Sequence, residues 1–321
     1  MASEGGTRAI LAALTANIGI AVTKFVAFLL TGSSSMLAES VHSVADSSNQ
    51  GLLLLGGKRA RRQATPQHPF GFGRERYFWA FVVSIVLFTL GGLFALYEAF
   101  HKFQHPEAIT SWQWVPVLVL VVAIGLEGYS FRTAVVESRP EKGERSWTEF
   151  IRRAKAPELP VILLEDFAAL LGLVFALVGV GLTLVTGNGV WDAAGTALIG
   201  VLLVVVAFVL SVEMKSLLLG ESATREHVHA IEAAIGASPG VVRVIHLRTL
   251  HVGPEELLVV AKVAVEQADT GDVIADAINR AELSARQAVP DLTLLMYLEP
   301  DIDHGSVQAR PSWDPDAPVG Q

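Results

Sequence analysis

Glu39, His42 and Asp46 fall at intervals of three and four within SSSMLAESVHSVADSSNQGLL, residues 33–53, in a long apolar N-terminal region. On a helix His42 and Asp46 stack on one face, and Glu39 lies one turn earlier on nearly the same face. An ionisable side chain at the centre of a membrane helix costs roughly 2.5–3.5 kcal/mol on insertion scales. A divalent cation offsets that cost, because carboxylates and neutral imidazole are its natural ligands. Metal and protons compete for these groups, which suits them to proton-coupled movement of an ion.

A second acidic cluster stands far along the chain. PVILLEDFAALLGLV places Glu165 and Asp166 in the middle of an apolar helix. Adjacent helical residues point about 100° apart, so one of the two faces the centre shared with His42 and Asp46. The other bonds a neighbouring helix or carries protons. Ile162, one turn before Asp166, has no donor. The residues allow a ligand set of His42, Asp46, Asp166 and either Glu165 or water, with Glu39 a weaker ligand or an entry residue. Lys24 and Glu127 are expected to form a structural ion pair. Asn17 and Asn49 are expected to donate hydrogen bonds between helices.

The elements that must carry these residues are visible in the composition. The 321 residues are 51% hydrophobic and only 17% charged, with a mean hydropathy of +0.46. A soluble domain usually has about 25% charged residues, so the chain is expected to be an integral membrane protein. There are no cysteines, which excludes disulfides, thiolate metal sites and thiol catalysis. Six stretches are long and apolar enough to span a bilayer, residues 7–31, 36–57, 77–100, 112–133, 159–185 and 190–218. The first lacks a basic flank and a cleavage site, so no cleavable signal peptide is expected.

Basic residues mark alternate connections. Lys58, Arg59, Arg61, Arg62, Arg74 and Arg76 follow the second stretch, and Arg139, Lys142, Arg145, Arg152, Arg153 and Lys155 follow the fourth. The connections after the first and fifth have none, and the one after the third has only Lys102. The positive-inside rule then places both termini in the cytoplasm.

Beyond about residue 221 the texture changes. A helix pattern over 225–236, alternating runs over 241–250 and 257–265, a helix over 272–288 and a third alternating run over 292–298 predict an α+β domain of ferredoxin-like type. The fold class is therefore an α-helical membrane protein, with six transmembrane helices over residues 1–220 and a ferredoxin-like cytoplasmic domain over 221–300. Residues 301–321, with the run from Pro300 rich in Pro, Asp and Gly, are expected to form a disordered tail. His246 and His251 are expected on the strand surface. No nucleophile–base pair or nucleotide loop is visible, so no enzyme activity and no organic cofactor are expected. No nucleic-acid partner is expected either.

Four segments carry a resemblance. The chain resembles the cation diffusion facilitator family of zinc transporters through GSSSMLAESVHSVADSSNQ, HPFGFGRERY, YEAFHKFQHPE and EDFAALLGLV. Within that family it looks most like the zinc transporter 9 branch. The resemblance puts His42 and Asp46 on the family's second-helix metal pair and Asp166 on its fifth-helix aspartate. It implies a homodimeric antiporter in the lipid bilayer, exporting zinc or another divalent transition metal from the cytoplasm in exchange for protons. A bacterial plasma membrane is the expected location. The chain departs from the family where Ile162 stands in place of a histidine and Phe72 in place of a second loop histidine. At the metal-binding strand positions it carries Ala261 and Tyr297. Two alternatives follow from Ile162. One is a membrane-bound interaction or sensor protein that no longer transports. The other is a transporter of manganese, iron or cobalt.

Overall fold

The computed structural model describes residues 14–15, 17–26, 29, 34–106 and 112–302; the side chains of residues 34–39, 41 and 42 lie outside the described residues. The chain divides into two compact units, one of Met1–Arg62 with Glu75–Lys215, the other of Gln63–Arg74 with Ser216–Gln321.

The first unit is helical. It contains α1 (Asn17–Val26), α2 (Ser34–Ala60), α3 (Glu75–Gln104), α4 (Trp114–Lys142), the short α5 (Trp147–Arg153), α6 (Glu158–Thr186) and α7 (Val190–Leu219). By length and composition α3, α4, α6 and α7 can each cross a membrane. They correspond to the third to sixth apolar stretches of the sequence. Of the first stretch, the described residues include the short apolar helix Asn17–Val26. The second stretch is one helix of 27 residues, made more polar than the others by Glu39, His42, Asp46, Asn49 and Gln50.

Side chains of different size set how these helices approach. α2 packs along α3, and α4 along α6. Within α3, residues Leu87–Leu93 wind as a π-helix, where the apolar sequence alone predicts an unbroken α-helix. Gly92 sits in this segment, and a Cβ there would lie 2.7 Å from a Val204 methyl group of α7. α6 and α7 meet just as closely. A Cβ on Gly195 would stand 2.9 Å from the Phe175 carbonyl oxygen, and one on Gly179 2.9 Å from that of Trp191. Small residues allow this backbone approach where lipid supplies no hydrophobic drive between helices. Ion pairs tie the helix ends. Arg76 donates to Glu158 at 2.8 Å, and Lys102 meets Asp192 at 2.9 Å.

The second unit follows the order helix, strand, strand, helix, strand. These are α8 (Arg225–Gly236), β1 (Arg243–Gly253), β2 (Glu256–Val265), α9 (Gly271–Ala288) and β3 (Thr293–Ile302). The sheet order is β1-β2-β3, antiparallel between β1 and β2 and parallel between β2 and β3. Val228, Ile231 and Ile235 of α8 and Ala281 and Ala285 of α9 pack with Leu247, Leu257, Val259, Val263 and Met296 of the strands. Thr224 caps α8 by accepting from the His227 amide.

Two expectations are corrected here. β3 runs on through Pro300 and Asp301 to Ile302, because its parallel register with β2 continues to Val265. β3 lies at the sheet edge, where a proline's missing N–H costs no ladder bond. Asp301 and Ile302, expected to begin a disordered tail over 301–321, thus belong to β3, and residues 303–321 lie outside the described residues. His251 is not a surface residue but 2% exposed. It shares a strand face with buried Leu247 and Thr249, its Nδ1 lies 3.2 Å from the Gly253 carbonyl oxygen, and its amide donates to the Glu221 carbonyl. His246 is half-buried.

Candidate metal centre

Helical periodicity assembles the polar residues of the first unit. On α1, Asn17, Ile20, Ala21 and Lys24 are buried at intervals of three to four, so they form one stripe. On α2 the corresponding stripe is Ser43, Asp46, Asn49 and Gln50, all buried. α4 contributes Glu127 and Ser130, three residues apart and both buried. α6 contributes Glu165 and Asp166.

These stripes face one another. Asn49 donates to Oε1 of Glu165 at 2.9 Å, and Gln50 donates to Oε2 at 3.4 Å. Gln50 in turn accepts from Asn17 at 3.4 Å. Ser130 donates to Oδ2 of Asp166 at 2.7 Å. The two adjacent acids of α6 thus turn to different helices: Glu165 to two carboxamides of α2, and Asp166 to a hydroxyl of α4. Asp46, Glu127, Glu165 and Asp166 lie within electrostatic range of one another. Like charges held this close repel strongly in a low-dielectric interior, so the cluster demands donors, protons or cations.

A cavity of about 20 Å³, room for roughly one water, opens among these groups, lined by Lys24, Ser43, Asp46 and Glu127 on the polar side and by small and apolar residues of α6 and α7 on the other. Lys24 donates to the Ser43 hydroxyl at 3.0 Å, and its charge reaches Glu127.

Of the residues singled out from the sequence, Asp46, Glu165 and Asp166 are brought together. Glu39 and His42 lie on α2, with side chains outside the described residues. Among the described residues no three His, Asp or Glu side chains form a ready metal cluster. Ile162 is fully buried and adds no ligand. Asn17 and Asn49 are hydrogen-bond donors between helices. Three participants were not legible as such. Glu127 belongs to the acid cluster as well as to the surroundings of Lys24. Ser130 sits at its i+3 position, and Gln50 at the i+4 position from Asp46. Their signal was a polar residue one helical turn from an intramembrane acid.

Residues 10–219 match the cation efflux transmembrane domain. The chain belongs to the cation efflux family. That family is one of transporters, not enzymes, and this member is a membrane protein that has apolar helices and a small C-terminal sheet. It is 34% identical over 225 residues to a mouse protein named proton-coupled zinc antiporter SLC30A9, mitochondrial, a match covering 70% of this chain and 39% of that relative. The human protein of that name is 35% identical over the same shares. Metal tolerance protein C4 of Arabidopsis thaliana is 29% identical over 217 residues, 67% of this chain and 47% of the relative. The match thus spans about two fifths of the length of the mouse and human relatives.

Proposed function

We propose that this cation efflux family member exchanges a divalent transition metal, zinc foremost, for protons across its membrane by alternating access. The observation that carries the reading is that Asp46 lies within electrostatic range of Glu165 and Asp166, buried acids from two helices far apart in sequence, inside a membrane domain. His42, Asp46 and Asp166 are the ligands in this reading. Ser130 orients Asp166, and Glu165, held by Asn49 and Gln50, sets the separation of α2 and α6. Ionised carboxylates and neutral His42 take the ion from the cytoplasm. Protonation on the other side lowers affinity and releases it, a role that suits an imidazole with an unperturbed pKa of about 6.5.

Zinc is the first choice because mouse and human relatives are named zinc antiporters and because imidazole joins the carboxylates. Buried Ile162 leaves the site oxygen-rich, which favours manganese, iron or cobalt as a second reading. The six-span topology with cytoplasmic termini, the ferredoxin-like type of the C-terminal domain and a homodimer joined through it are parts of the same proposal. The membrane location stands. The mouse and human relatives are named mitochondrial, which lends no support to the bacterial plasma membrane as that location.

The test is zinc flux into proteoliposomes under an imposed proton gradient. Asp46→Ala is expected to reduce flux to background while the protein remains folded. Flux equal to the unsubstituted protein would remove Asp46 from the site.

A further inference from the structure

Lys24 is 4% exposed, in the last turn of the apolar helix Asn17–Val26. A lysine in that position must find compensation for its lost hydration. Its ammonium donates to Ser43, one turn before Asp46 on α2, and it lines the same small cavity as Asp46 and Glu127. Glu127 is also 4% exposed, and its Oε2 has no hydrogen-bond partner among the described residues. The remainder of the cavity wall is Ala168, Ala169, Gly172, Leu173 and their apolar neighbours, which offer the carboxylates no donor.

We propose that Lys24 is a built-in counter-cation of the carboxylate cluster, whose ammonium a divalent ion must displace in order to bind. The inference rests on the metal-site reading above and adds to it the residue that sets affinity. Positive charge beside Asp46 and Glu127 stabilises the ion-free state and opposes the entry of a second cation. The space fits one small body, so the ammonium and an ion held by Asp46 exclude each other. Lys24 thus keeps the site from holding its ion too tightly to release it.

A purely structural ion pair predicts something else: removing Lys24 would loosen the helices and leave zinc affinity unchanged or weaker. The two accounts separate in a calorimetric zinc titration of the full chain in detergent micelles. The titration is made at about pH 8, above the ordinary histidine pKa, where protons compete least. Lys24→Met is expected to bind zinc about tenfold more tightly than the unsubstituted protein. Lys24→Gln, which keeps a donor for Ser43 and so guards against misfolding of the first variant, is expected to do the same. Lys24→Arg retains the charge and is expected to show no gain. Zinc should also raise the melting temperature of the two neutral variants more than that of the parent. Affinity of both neutral variants within about twofold of the parent, or weaker, overturns the proposal. If the parent itself shows no zinc binding that Asp46→Ala removes, the metal-site reading fails first and takes this inference with it.

Discussion

Replacing Asn49 by alanine tests whether Glu165 is braced by α2. Asn49 donates at 2.9 Å to a carboxylate that is 5% exposed, and Gln50 donates to its other oxygen at only 3.4 Å. Hydrogen bonds to charged groups are worth about 1.5–3 kcal/mol, whereas interhelical bonds in membrane proteins average about 0.6 and reach about 1.7. A buried, well-formed bond to a carboxyl oxygen belongs at the top of the membrane range, so about 1.5 kcal/mol is expected for the Asn49–Glu165 pair. The longer Gln50 bond is expected to contribute about 0.5 kcal/mol. The measurement is a double-mutant cycle with Glu165→Leu, read by reversible unfolding in mixed micelles. Asn49→Ala should be costly in the parent and much cheaper in the Glu165→Leu background. A coupling below about 0.5 kcal/mol for the Asn49 pair, or a larger one for Gln50, would refute the bracing role. Transport supplies an independent arm. Glu165→Gln keeps one oxygen acceptor, which can take the shorter Asn49 bond, and is expected to retain zinc flux. Asp166→Asn is expected to lose it. The reverse result would make Glu165 the ligand.

Other consequences are as definite. Gly195→Val places a side chain against the Phe175 carbonyl, 2.9 Å from the new Cβ, and is expected to cost about 1–3 kcal/mol of stability through forced separation of α6 and α7. In the C-terminal unit, burial and then the neighbouring Glu255 raise the pKa of Glu256. Ionising Glu256 therefore opposes folding, so Glu256→Gln should raise the melting temperature at pH 8. That advantage should vanish below about pH 4, where the carboxyl is protonated in both folded and unfolded chains. An advantage that instead grows on acidification would show the sign to be wrong.

The apolar stretches and their interrupting acids determined a great deal by themselves. A run of about 20 apolar residues has few ways to satisfy its backbone other than a membrane helix, and four such helices, α3, α4, α6 and α7, stand where the stretches predict them. The period-2 and period-3.6 patterns after residue 221 located α8, β1, β2, α9 and β3, because burial on one face is a local property of the chain. Periodicity fixes which residues share a face but not what that face meets. That Glu165 turns to α2 and Asp166 to α4 depends on the rotation of α6 between its neighbours, which Asn49, Gln50 and Ser130 settle from elsewhere in the chain. The same holds for His251, buried once β1 pairs with β2, and for Pro300, drawn into β3 by register. It holds also for Lys24 and Glu127. Their place as a cation and an acid around one cavity with Asp46 exists only when α1, α2 and α4 are packed together.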